Sequence, residues 1–221
     1  MCERIAVPIT HLLPTDGLTL DQSAVVEPFA IGAHAVRRSG LQAGETVLVI
    51  GGGPIGLGVM AFARSRGARV IAMDVNEERL TFCGKWAGAE VLIQALNDPL
   101  GDILAANGGE LPTVVFDATG NQRSMTSAFQ YVANGGRLVY VGLVKATIQF
   151  DDQEFHKREM TLMGSRNATH EDFMEVMKAI RSGSIDVGPY ITHRASFENM
   201  IDTFEEWLNP ENKVIKAIIE I

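Results

Sequence analysis

The sequence is short of cysteine and of clustered positive charge, and each shortage removes a class of function. Its two cysteines, Cys2 and Cys83, stand in no C-x-x-C spacing, which excludes a disulfide framework and a four-cysteine zinc site within the chain. Nineteen basic against 27 acidic residues leave a net charge of −8, and the basic residues adjoin only at Arg37-Arg38 and Lys157-Arg158. That balance excludes nucleic acid and anionic membranes as principal partners. No apolar run is long enough to span a bilayer. No basic-then-apolar opening reads as a signal peptide, so a cytoplasmic location is expected. The five histidines, His11, His34, His156, His170 and His193, are scattered without H-x-x-x-H spacing.

What is present is an ordinary globular composition, 46% hydrophobic and 21% charged over 221 residues. That length suffices for one large domain or two small ones around a substantial core. CERIAVP at the start alternates like a strand, and HLLPTDGL reads as a loop. The segment EPFAIGAHAVRRSG predicts a helix with Pro28 at its first position and Gly40 past its end. From residue 46 the pattern becomes regular. Strands are predicted at TVLVI, RVIAMD, EVLI, TVVFDA and RLVYVG. Between them lie helices at 54–66, at EERLTFCGKWA capped by Asn76, around PLGDILAAN, and over about 124–133. TIQF and MTLMGS look strand-like, EDFMEVMKAIRSG and FENMIDTFEEWL are amphipathic helices, and VIKAIIEI is a last strand. Strands alternating with helices at this spacing imply an α/β fold, a doubly wound parallel sheet of the Rossmann type.

The chemistry concentrates in VIGGGPIGLG, residues 49–58. Gly51-x-Gly53-x-x-Gly56 directly follows the first regular strand and opens a helix. The first glycine permits a tight turn, the second lets backbone approach a diphosphate, and the third lets helix and strand pack closely. Pro54 and Ile55 belong to the same coenzyme-binding segment. The next strand ends in Asp74, eighteen residues after Gly56, where a carboxylate accepts both ribose hydroxyls of an adenosine. Such an acid repels a 2′-phosphate, and no arginine immediately follows it, so NAD is expected rather than NADP. A P-loop is excluded because no G-K-[ST] follows.

Together VEPFAIGAHAV, GGGPIGLG, DVNEERL, FDATG, GGRLVYVG and MGSRN, in this order, resemble the medium-chain dehydrogenase/reductase family, in its zinc-dependent polyol branch of sorbitol and threonine dehydrogenases. The resemblance implies that Arg79 lies against the adenosine of NAD and that Thr119 and Gly120 line the coenzyme cleft. It places Val141, Gly142 and Leu143 near the nicotinamide, and Arg166 near nicotinamide and substrate. It puts Glu27 beside the catalytic zinc, as a ligand or holding its water, and makes Glu27 and Arg166 the candidate catalytic residues. The other zinc ligands of the family lie upstream of this glutamate, so zinc is expected in a full-length relative and not in this chain alone. On the same grounds the chain is expected to be a fragment with catalytic-domain remnants at both ends. Residues 1–35 form one remnant, 36–165 the NAD-binding domain, and 166–221 a segment returning to the catalytic domain. Exposed apolar surface and self-association are expected there, with TIQF as the candidate edge of a homo-oligomer. The implied function is hydride transfer between NAD and a small-molecule secondary alcohol, polyol or sugar acid. Two other readings stay open, a non-catalytic NAD-binding module or sensor, and the zinc-free quinone or enoyl reductase branch.

Overall fold

The computed structural model describes residues 4–221. They divide into two units, one formed by the described residues up to Val26 together with Val176–Ile221, the other by Glu27–Glu175. No helix among the described residues is long and apolar enough to cross a membrane.

The larger unit is built around a six-stranded parallel sheet. Helix α1 (Leu20–Arg38) leads in, followed by β1 (Thr46–Ile50), α2 (Pro54–Ser65), β2 (Arg69–Asp74), α3 (Glu77–Phe82), β3 (Val91–Gln94), α4 (Pro99–Ala106), β4 (Val114–Asp117), α5 (Gln122–Ser127), β5 (Arg137–Tyr140), α6 (Asp152–Lys157) and β6 (Thr161–Gly164). Helix α7 (His170–Arg181) follows. The strands run in the order β3-β2-β1-β4-β5-β6, every pair parallel. Strand order therefore reverses direction between β1 and β4, the place where ligands bind in open α/β sheets.

Strand β4 is buried along its whole length and β1 and β2 along all but their first residue. That is why they read as continuous apolar runs and not as alternating ones. Leu48, Ile71, Val115 and Leu138 stack with Ile103, Ala128 and Val132 into one core layer. Helices α3, α4, α5 and α6 start on side-chain caps from Asn76, Asp98, Asn121 and Asp151, each satisfying helical N–H groups that have no partner inside the helix. Past Phe82 the helix widens into a π turn over Cys83–Ala87 and stops at Gly88, whose φ is +67°. Trp86 in this turn stacks between Phe29 and Phe82, with centroids 5.7 and 6.0 Å away.

In the smaller unit β7 (Ile191–Ser196) pairs in parallel with β8 (Lys216–Glu220), and α8 (Met200–Leu208) connects them. Arg194 on β7 bonds both carboxylate oxygens of Asp21 and reaches Glu220. Trp207 lies edge-on to His193. No residue of α8 is buried, and its Ile201, Phe204 and Leu208 are among the most exposed large apolar side chains.

Four sequence expectations need correction. The described part of CERIAVP forms no strand; Ile5 is 80% exposed and no neighbouring strand pairs with it. Pro28 lies inside α1 and not at its first position. The helix starts earlier, on a reciprocal cap in which the Gln22 N–H donates to Thr19 Oγ1 and the Thr19 N–H donates to Gln22 Oε1. The helix expected over 124–133 begins at Gln122 and tightens into a 3-10 turn at Ala128–Tyr131. TIQF, residues 147–150, is not a strand, and the edge of the sheet is β6. Cys2 lies outside the described residues.

Candidate functional site

At the β1–β4 switch point the chain leaves β1 through three glycines, the first two confined and the third open. Gly51 takes φ +101°, a conformation that side-chain-bearing residues rarely adopt. A Cβ on Gly52 would stand 2.9 Å from Cys83 Sγ and 3.4 Å from Asp74 Oδ2. A Cβ on Gly53 would meet nothing within 4 Å, so at that position the backbone faces open space. Gly56, one turn into α2, is closed again: a Cβ there would fall 1.8 Å from the Gly51 carbonyl oxygen. Helix α2 begins with Gly53 as its N-cap and Pro54 as its first residue, with Ile55 next. No side chain caps that end, leaving its N–H groups turned toward the opening beside Gly53.

Asp74 closes the turn from behind. It is the last residue of β2 and is buried. Its Oδ2 accepts the Gly52 N–H at 2.6 Å and its Oδ1 the Asn76 N–H at 2.8 Å. Beneath the same turn Cys83 is fully buried, and burial pushes its thiol up to about 12. It therefore acts as a small apolar wedge and not as a nucleophile.

Across the switch point, Asp117 organises the ends of β4 and β5. It is wholly buried. Its Oδ1 accepts the Thr119 N–H and hydroxyl at 2.9 and 2.7 Å, and its Oδ2 accepts the Ser124 hydroxyl at 2.6 Å. Burial pushes this carboxyl above the usual range, against the downward pull of the Ser124 and Thr119 donors. The carbonyl of Asp117 takes the N–H groups of Val141 and Gly142, each at 2.9 Å. Gly120 (φ +61°) and Gly142 then approach so closely that a Cβ on Gly142 would lie 2.3 Å from the Gly120 nitrogen. One buried acid thus aligns Thr119, Gly120, Val141 and Gly142, with Leu143 exposed just beyond.

A cleft of about 640 Å³ opens over the ends of β1, β2 and β4; Gly120, Val141, Gly142 and Leu143 do not line it. Of the residues singled out in the sequence, Gly51, Gly53, Asp74, Arg79 and Thr119 line it. Arg123, Asn97 and Gln130 line it as well, and sequence reasoning missed them. Glu27 is exposed on α1 and Arg166 is exposed after β6; neither lines this cleft. His34, seven residues along α1 from Glu27, places its Nδ1 2.9 Å from Asp172 Oδ2. Among the described residues, no three His, Cys, Asp or Glu side chains are grouped to hold a metal ion. A catalytic zinc takes three protein ligands, so these residues do not by themselves fit one.

The topology and the glycine turn at the switch point define a doubly wound α/β domain of the Rossmann type. The model of the zinc-binding dehydrogenase family matches residues 54–182, and the chain belongs to that family. L-galactonate-5-dehydrogenase of Escherichia coli is 42% identical over 217 residues, covering 98% of this chain and 64% of the relative. Sorbitol dehydrogenase 1 of Saccharomyces cerevisiae is 29% identical, covering 92% of this chain and 59% of its own length. The chain thus spans about three fifths of the length of these curated relatives. Among solved structures, an Escherichia coli alcohol dehydrogenase complexed with NADH superposes with a TM-score of 0.88 at 25% identity, covering 97% of this chain and 64% of that one. The 2R,3R-butanediol dehydrogenase of Bacillus subtilis gives 0.85 at 26% identity, covering 95% and 60%.

Proposed function

We propose that this chain is the coenzyme-binding part of an NAD-dependent dehydrogenase that acts on a secondary alcohol of a polyol or sugar acid. The observation that carries the reading is the Asp74 carboxylate. Its two oxygens offer about four acceptor positions, and backbone N–H groups occupy one on each. One acceptor per oxygen remains for the two ribose hydroxyls of an adenosine, and the charge disfavours a 2′-phosphate.

The free backbone N–H groups of Gly53, Ile55 and Gly56 at the start of α2 hold the diphosphate, while Gly51, whose own N–H donates to the Met73 carbonyl, and Pro54, which has no N–H, shape the turn that presents them. Arg79 lies on the adenosine side. Thr119, Gly120, Val141, Gly142 and Leu143 hold the nicotinamide half at the ends of β4 and β5. When bound, NAD supplies a hydride acceptor. Glu27 and Arg166 act at the substrate, and zinc belongs to the whole enzyme. Residues 36–165 form the coenzyme domain, and 1–35 with 166–221 belong to a catalytic domain. The names of the relatives support the substrate class, L-galactonate and sorbitol dehydrogenases among them. A homo-oligomer in the cytoplasm completes the proposal.

The test is a fluorescence titration with NADH and with NADPH, on the wild-type chain and on Asp74→Asn. Saturable NADH binding with weaker NADPH binding is expected. In Asp74→Asn the ratio should shift toward NADPH by about tenfold, the scale of one hydrogen bond to a charged group. No NADH binding, or equal affinity for both coenzymes in the wild type, would sink the reading.

A further inference from the structure

Two cations face the cleft from separate elements. Arg79 stands on α3, beyond β2, and Arg123 on α5, beyond β4. Both are exposed, and among the described residues neither forms an ion pair. The acid of the cleft is Asp74, already bonded through both oxygens to backbone. Two guanidinium groups therefore line the same cleft, and neither is ion-paired with its acid, Asp74.

Arg123 is also held firmly at its backbone. Its N–H and that of Ser124 both donate to Asn121 Oδ1, at 3.0 and 3.2 Å. The Ser124 hydroxyl is anchored on the buried Asp117. The first turn of α5 is thus tied at two points, and the arginine leaves it from a fixed origin. Around it the wall of the cleft carries Leu96, Asn97 and Gln130. These are an apolar contact and side-chain amides from segments after β3 and β5's preceding turn, distant in sequence from the glycine turn.

We infer that Arg123 is a recognition residue for the adenosine half of the coenzyme, working with Arg79. The diphosphate has its own backbone N–H groups at Gly53 and α2, and the ribose has Asp74. What remains is a planar, electron-rich base with ring nitrogens as acceptors. A guanidinium suits it twice, by lying flat on an aromatic face and by donating from a rigid fork. This deepens the coenzyme reading and rests on it.

The experiment measures NADH affinity by its fluorescence, and 5′-AMP affinity by displacement of NADH, in wild type, Arg123→Gln and Arg123→Lys. Arg123→Gln should weaken NADH about tenfold and 5′-AMP by the same factor, with an unchanged melting temperature because the side chain is exposed. Arg123→Lys keeps the charge without the planar fork, and should recover only part of the loss. An unchanged NADH affinity in Arg123→Gln overturns the inference. So does a loss for NADH without a loss for 5′-AMP, or full recovery in Arg123→Lys. A wild-type chain that binds neither ligand is a different outcome: it removes the coenzyme reading, and this inference with it.

Discussion

A methyl group on Gly32 would stand 2.7 Å from the carbonyl carbon of Gly58 and 2.8 Å from the Val59 nitrogen, so α1 and α2 cross backbone against backbone. Neither partner atom belongs to a flexible side chain that could step aside. Alanine is the better helix former by about 1 kcal/mol, but the crossing would have to open to admit it. Gly32→Ala is expected to lower stability by about 1–3 kcal/mol, the usual range for an overpacked contact. Urea unfolding measures it, and a variant as stable as wild type would disprove the close crossing.

Gly53 is the opposite case. Its backbone is extended, with φ −78° and ψ −178°, and a Cβ there touches nothing. Gly53→Val should therefore fold with an unchanged melting temperature. Its side chain would stand where the diphosphate is proposed to lie, and NADH affinity should fall at least about tenfold. Undiminished binding would move the diphosphate elsewhere.

Asp172, at the start of α7, is fully buried. It accepts from Arg37 Nε at 2.7 Å, from the Thr169 N–H and hydroxyl at 2.8 Å each, and pairs with His34. Although burial alone raises this carboxyl, the donors from Arg37, Thr169 and His34 together hold it well below the usual range. A depressed folded value means that its stabilisation is complete above the ordinary carboxylate pKa of about 3.9 and is lost as the pH falls below it. Asp172→Asn should cost about 2–3 kcal/mol at neutral pH. The gap to wild type should narrow as the pH falls below about 4, as urea midpoints at pH 7 and pH 3 would show. A gap independent of pH would contradict the ionised cluster.

Asp117 predicts the reverse sign. Its raised folded value means that it favours folding most below the unfolded carboxylate pKa, and loses that contribution as pH rises through the folded one. An asparagine keeps an acceptor for Thr119 and offers a donor to Ser124. The stability of Asp117→Asn relative to wild type should therefore improve within pH 4 to pH 8, over the interval in which the folded carboxyl ionises later than the unfolded one. A constant difference across that range would mean the buried group titrates normally.

The sheet from β1 to β6 was readable because its buried strands are continuous apolar runs punctuated by glycine, a local signal. The glycine turn and Asp74 were readable for the same reason. The start of α1 carries a visible cap, Thr19-x-x-Gln22, but Pro28 further along imitates a helix beginning. Strand β7, Ile-Thr-His-Arg-Ala-Ser, has weak apolar character, and its partner β8 begins twenty residues after its end. Beyond the local Thr169, the partners of Asp172 are His34 and Arg37 on α1, more than 130 residues away. Arg123 reads as an ordinary surface residue until the ends of β2 and β4 are brought to one edge of the sheet, on either side of β1. Apart from the start of α1, what escaped the sequence is a pairing that only the fold creates.

The two tryptophans fall one to each unit, Trp86 packed between Phe29 and Phe82 in the larger and Trp207 beside His193 in the smaller. Each unit thereby carries its own intrinsic fluorophore. Replacing either indole with phenylalanine leaves an emission signal belonging to one unit alone, so melting the two single-tryptophan chains side by side would reveal whether the units come apart in one cooperative event or in two.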